Sequence, residues 1–179
     1  MRNQSKIQIT ASIAFFLCLS LSSFGQNSYI KKNFGHVISL EYPETFLRTF
    51  NLNPDASVEL FDEKTDSYII LIEDEKELLN VLDINYTNDT YFDETINSMS
   101  ETAVVTEKKN AKNYKTASGY NAKQIEMFTE EEGIKIYYLI TTIETKGYFY
   151  KILCWTVKEN YEKQNSIFNK ISNSLTENQ

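Results

Sequence analysis

Two long apolar runs, Ile134 to Glu144 and Tyr148 to Val157, are separated only by Thr145-Lys146-Gly147, and no other feature of the chain constrains its fold as much. β-Branched and aromatic residues dominate both runs. A three-residue connection ending in glycine suits a type I turn followed by a left-handed residue, so the segment reads as a β-hairpin. Such a turn sets Glu144 opposite Tyr148. Counting outward, Ile136 then faces Thr156, Tyr138 faces Cys154 and Ile140 faces Ile152 on one side. On the other, Tyr137 faces Trp155, Leu139 faces Leu153 and Ile143 faces Phe149. Neither side is polar. A hairpin with one wet face alternates apolar and polar residues, so these two strands are expected at the centre of a sheet covered on both sides, with Trp155 and Tyr137 packed together under a helix.

The rest of the chain supplies what could cover it. Gln26 to Gly35 is polar and leads into a strand over His36 to Tyr42, which Pro43 ends because proline cannot donate to a ladder; Phe46 is expected to fold back onto the core. Ser57 to Phe61 and Tyr68 to Glu73 read as two strands joined through Asp62 to Ser67. Glu73 to Asn88 fits either a short helix or a covering loop. Thr90 reads as an N-cap, and Phe92, Ile96, Met99 and Ala103 recur at helical spacing after it. Val104 to Glu107 suits a short strand, Asn110 to Gly119 a polar connection, and Tyr120 to Thr129 a strand with Ile125 and Met127 on one face. Glu130 to Gly133 then turns into the hairpin. Tyr161, Gln164, Phe168, Ile171 and Leu175 give a last helix one apolar stripe. No repeat, low-complexity segment or linker divides the chain. This order of elements implies an α+β fold, a mostly antiparallel sheet with helices packed on its faces.

The first 25 residues stand apart. Arg2 and Lys6 precede an apolar run from Ala11 to Leu21, and Ser23 and Gly25 supply small side chains before Gln26. This is the layout of a cleaved secretory signal, with the cut between Gly25 and Gln26 and a single domain over residues 26–179. The apolar run is about half the ~20 residues that a spanning helix needs, so no membrane span is expected after cleavage. Cys18 follows Phe15-Phe16-Leu17 rather than a small residue, which argues against lipidation. Export to a periplasmic or extracellular space follows from this reading.

Removing the leader takes away Arg2 and Lys6 and no acid, moving the net charge from −7 to −9. Nucleic acid and anionic lipid are bound through clustered lysine and arginine, and here the bases are scattered among acids, so neither is expected as a partner. Only Cys154 remains after cleavage, which excludes an intramolecular disulfide.

Several landmarks resemble those of the PsbP-like superfamily. Ile38-Ser39-Leu40-Glu41-Tyr42-Pro43 is similar to its opening strand and Tyr-Pro signature, Ser118-Gly119-Tyr120-Asn121-Ala122 to its Gly-x-x-Ala, and Gly147-Tyr148-Phe149-Tyr150-Lys151-Ile152 to its glycine turn and aromatic strand. The closing helix resembles the family's own. The resemblance, running from about Asn33 onward, implies an α/β/α sandwich around an antiparallel sheet, in proteins that bind or stabilise other proteins and share no catalytic constellation. The matched residues are turn and core chemistry, so no functional residue is carried over.

The chemistry of the side chains points the same way. His36 and Cys154 are the one nucleophile-and-base pair available, but Cys154 sits mid-strand between Leu153 and Trp155, where an inert buried thiol is expected, and no catalytic residue is assigned. One histidine and one cysteine are too few for zinc. Asn51-x-Asn53-x-Asp55 imitates the start of a calcium loop, then offers Ala56 where glycine belongs and Asp62 where the bidentate glutamate belongs, and reads as a solvated turn. Acid runs at Glu73-Asp74-Glu75 and Glu130-Glu131-Glu132 read as solubilising loops, so neither a metal nor a cofactor is expected. Asn85 and Asn88 each begin an Asn-x-Thr sequon. Two classes of function remain. One is an exported, non-catalytic interaction or assembly module binding another protein; the other is a small-ligand binder with an aromatic pocket between sheet and helix. A closed core favours the first and a deep aromatic pocket of several hundred cubic ångströms favours the second.

Overall fold

The computed structural model describes residues 28–35 and 38–178. The leader, the Gly25–Gln26 junction and His36 lie outside the described residues. Among the described residues, eleven strands and three α-helices run in the order β1 (Tyr29–Phe34), β2 (Ile38–Pro43), β3 (Leu47–Arg48), β4 (Val58–Asp62), β5 (Ser67–Glu75), α1 (Lys76–Val81), α2 (Asn88–Thr102), β6 (Val104–Lys108), β7 (Lys112–Lys115), β8 (Asn121–Glu131), β9 (Ile134–Glu144), β10 (Tyr148–Val157), α3 (Tyr161–Asn173) and β11 (Thr176–Glu177). The large sheet is ordered β3-β4-β5-β10-β9-β8-β6, with β7 also on β8, and every pairing in it is antiparallel. As the two apolar faces of β9 and β10 require, both strands are central. The architecture is the expected α+β one, an antiparallel sheet between helical layers.

One layer holds more than a helix. Beside α3 lies a second sheet, β1-β2-β11, and its Phe34, Ile38, Leu40 and Tyr42 share a core with Phe168, Ile171 and Leu175 and with the large sheet's Leu60, Leu71, Tyr137 and Tyr150. β1 is absent from the sequence reading because most of its side chains are wet and Phe34 alone is fully buried, which leaves no alternation to detect. Phe46 joins this core as expected. On the opposite face, Phe92 and Ile96 of α2 pack on Ile125, Met127 and Ile140.

The hairpin register differs from the expected one by a single residue. Phe149, not Tyr148, lies opposite Glu144, so Trp155 faces Tyr138 and Tyr137 faces Thr156. Trp155 and Tyr137 therefore sit on opposite faces of the sheet. The reason is local. Gly147 does not adopt the left-handed conformation that a three-residue turn requires, and the loop tightens to Lys146-Gly147. The Thr145 N–H donates to Tyr148 O at 3.0 Å, and Thr145 Oγ1 accepts from the Tyr148 N–H at 3.1 Å and donates to Glu177 Oε1 at 2.6 Å. Threonine thus extends the ladder by one pair. At the other end of β9 the turn is Glu132-Gly133, both with positive φ (49° and 82°), the pairing a two-residue hairpin favours.

The N-cap of helix α2 lies three residues before the expected one. Thr87 is the N-cap: its Oγ1 accepts from the Thr90 N–H at 3.2 Å while Thr90 Oγ1 accepts from the Thr87 N–H at 2.8 Å, a reciprocal capping box. The stretch left open between Glu73 and Asn88 contains the short α1, none of whose residues is buried.

Candidate functional site

The two faces of the large sheet are covered unequally. α3 and the small sheet seal one. On the other, α2 packs over β8 and β9, leaving β5 and β10 beside it partly open. The gap is a cleft of about 580 Å³. Ile70 and Ile72 of β5, Leu153 and Trp155 of β10 and Tyr138 of β9 form its floor, α2 forms one wall, and Leu79 with Tyr86 forms the other.

Its floor follows from the register. Phe61, Tyr68, Trp155, Tyr138 and Met127 are successive partners across β4, β5, β10, β9 and β8, so all five project from one face. Trp155 stacks on Tyr68 at 5.3 Å and 15° and on Tyr138 at 6.1 Å and 26°. The indole is thus flanked on both sides by near-parallel, offset rings.

The α2 wall is polar. Tyr91, Thr95, Ser98 and Thr102 recur at i, i+4, i+7 and i+11 and all line the cleft, one position before the apolar stripe Phe92, Ile96 and Met99. Thr95 and Thr102 donate back to Tyr91 O (2.8 Å) and Met99 O (3.2 Å), which leaves their oxygens as acceptors. Glu94 lies beside them. At the cleft's end the Tyr91 hydroxyl donates to Asp74 Oδ2 at 2.5 Å, and Lys151 Nζ sits 3.4 Å from the same carboxylate and 5.3 Å from the Tyr91 ring centroid. Burial, then the hydrogen bond to Asp74, hold the Tyr91 phenol well above its ordinary pKa, so it is a donor and not a nucleophile. Tyr91 also stacks on Phe149 at 4.8 Å and meets Tyr86 edge-on at 5.5 Å.

Lys76 ties the second wall down. Its N–H donates to Gly147 O at 2.9 Å, and its ammonium reaches Glu144 Oε1 at 2.7 Å and Thr145 O at 2.8 Å, 4.4 Å from the Phe149 centroid. α1 is anchored at its start and, apart from Leu79, bare beyond it: Leu78, Val81 and the C-cap Leu82 are 60%, 77% and 67% exposed.

Of the residues singled out from sequence, Asp74 of the first acid run and Asn53 line the cleft, and the others lie elsewhere. Cys154 is fully buried on the sealed face, and burial pushes its thiol up to about 12, so it carries no thiolate at neutral pH. Asn53 Oδ1 accepts from the Asp55 N–H at 2.8 Å, the Asx turn that such residues favour, and Asn53 also reaches one end of the cleft. No cluster of three histidine, cysteine, aspartate or glutamate residues that could hold a metal occurs among the described residues. Asn85 is exposed, whereas Asn88 Oδ1 accepts from Thr142 Oγ1 at 3.3 Å. Sequence reasoning missed Tyr86, Tyr91, Glu94, Ser98 and the cleft role of Trp155. The signal for the wall was available as the hydroxyl stripe that runs beside the apolar one.

No protein-family model matches the sequence. No curated protein matches it either. Solved structures do match in fold. Cyanobacterial PsbP (CyanoP) from Synechocystis superposes with a TM-score of 0.60 at 16% identity, covering 87% of this chain and 96% of that one. LpqN of Mycobacterium tuberculosis, described as involved in cell envelope biogenesis, gives 0.60 at 10% identity, covering 85% and 91%. A Bacteroides thetaiotaomicron protein gives 0.54 at 9% identity, with 87% of this chain on 50% of that one. No helix among the described residues is long and apolar enough to cross a membrane. At these identities the likeness is one of fold, and the fold is that of PsbP.

Proposed function

We propose that this protein is an exported, non-catalytic binding module that recognises another protein through the cleft beside α2. The observation that carries this reading is the unequal cover: one face of the sheet is sealed, while the other keeps an aromatic-floored cleft with unburied apolar residues on α1 next to it. Support for a non-catalytic role comes from the inert setting of Cys154 and the carboxylate-locked Tyr91. The PsbP-like neighbours, one of them a protein of cell envelope biogenesis, fit an accessory role. Export rests on the leader.

Two experiments test this. Partner capture by the mature chain is compared with capture by Ser98→Arg, which fills the cleft from an exposed helix position, and by Glu162→Arg on the sealed side. Loss with the first substitution alone is expected, and retention with both refutes the cleft. Mass spectrometry of exported material should find a start at Gln26; an intact Met1 on membrane-bound protein would make the leader an anchor.

A second reading, a small-ligand binder, is favoured by the cleft's volume and its lining of Tyr86, Tyr91, Tyr138 and Trp155, both within the range of ligand sites. A compact ligand co-purifying with the mature chain, and lost with Ser98→Arg, would select it.

A further inference from the structure

The cleft's charge narrows its partner. Three charged residues line it, Asp74, Glu94 and Lys151. Lys151 is 3.4 Å from Asp74, so these two neutralise one another, and Glu94 forms no ion pair among the described residues. The apolar residues of α1 are bracketed by the exposed acids Glu77 and Asp83, and Glu101 is exposed next to the wall residue Thr102. The apolar floor thus carries one lining carboxylate with no basic partner, Glu94, and exposed acids lie on the segments of both walls, on a chain of net charge −7.

This excludes several occupants that an apolar groove alone would admit. A second copy would bring the same acids to the same walls, and an anionic membrane or nucleic acid would be repelled. Saccharides stack on open aromatic faces, and Trp155 is flanked by near-parallel rings on both sides, Tyr68 and Tyr138. A segment with apolar side chains on one side and lysine or arginine flanking them satisfies both the floor and these acids. The polar α2 wall and the bare α1 flank the floor on two sides, the layout that the helix-in-groove mode uses.

Building on the reading of the cleft as the recognition site, we infer that it takes a cationic amphipathic segment of a partner protein, apolar side chains on Ile70, Ile72 and Leu153 and basic side chains against Glu94 and the wall acids. Trp155 reports on this directly, because it is the chain's single tryptophan and lines the floor. The mature protein is titrated with a designed Leu/Lys amphipathic peptide lacking tryptophan, with its Leu/Glu counterpart of identical apolar face, and with a neutral detergent. The Leu/Lys peptide is expected to shift Trp155 emission and to bind at least about tenfold more tightly than the Leu/Glu peptide, with affinity falling as salt rises. Glu94→Lys should remove most of that preference at unchanged thermal stability, since Glu94 is exposed. Equal response to both peptides, or a preference untouched by Glu94→Lys, overturns the charge inference while leaving the cleft a recognition site. No shift with any probe overturns it too. If Ser98→Arg also leaves partner capture intact, the reading of the cleft falls as well.

Discussion

The two faces of the large sheet draw on the same strands and the same residue types, yet one is closed and the other is not. On the sealed face, Tyr150, Ile152 and Cys154 of β10 are fully buried beneath α3 and the small sheet. One residue out of phase, Lys151, Leu153 and Trp155 of the same strand are only partly buried. Apolar composition therefore does not decide which surface becomes core. What decides it is the number of elements available to cover each side: α3 with three extra strands on one, α2 with only the short α1 on the other.

This contrast can be broken by substitution, and the largest effect belongs to the sealed face. Phe168→Ala should cost about 3–5 kcal/mol in urea unfolding, as expected for a large side chain removed from a filled core. Trp155→Ala, across the sheet, should cost only about 1–2 kcal/mol, the worth of its two stacking contacts with modest burial. A loss as large as that for Phe168→Ala would mean that the second face is closed in solution.

Acid sharpens the comparison from the edge of the sealed face. Lys109 Nζ and the Tyr161 hydroxyl donate to Glu126 Oε2 at 2.8 and 2.9 Å. Burial alone would raise the Glu126 pKa, but these hydrogen bonds outweigh it and hold the carboxyl below its ordinary 4.5. Its contribution is then fully present above that value and disappears as pH falls through the lower folded value. Glu126→Gln should destabilise by no more than about 1 kcal/mol at neutral pH, and the difference should vanish in acid melts. Smallest of all, Leu78→Ser and Val81→Ser on α1 should change stability by less than about 0.5 kcal/mol, as for exposed sites, while weakening partner capture. A large loss of stability would show α1 to be part of the core.

The apolar character of both faces also explains what could be read from sequence. Two strands apolar on both sides identified the sheet's centre, and the stripes Phe92-Ile96-Met99 and Phe168-Ile171-Leu175 identified its covers. The same property concealed the register, because a one-residue slip exchanges faces and the polar residues within the pair, Thr141, Thr142, Lys151 and Thr156, are divided between both faces in either register. The slip moved Trp155 from an expected core position to the cleft floor. β1 and β7 went unseen because both are edge strands with mostly wet side chains, held by pairing rather than by a hydrophobic pattern. The cleft is not written in any single segment; it is the part of the sheet that no cover reaches.

Strand β2 is the middle strand of the small sheet, and its two neighbours are far from equal in sequence. β1 immediately precedes it, whereas β11 pairs Thr176 and Glu177 with Ser39 and Ile38, and Asn178 Nδ2 donates to Ile38 O across 140 positions at 3.0 Å. During synthesis, β2 therefore stays half-paired until nearly all of the described chain has been made. Closing so long a loop late makes for slow folding and leaves an apolar strand edge bare in the meantime. The capacity of this protein to be handled unfolded, and its exposure to aggregation while it waits, are set by when those few residues arrive.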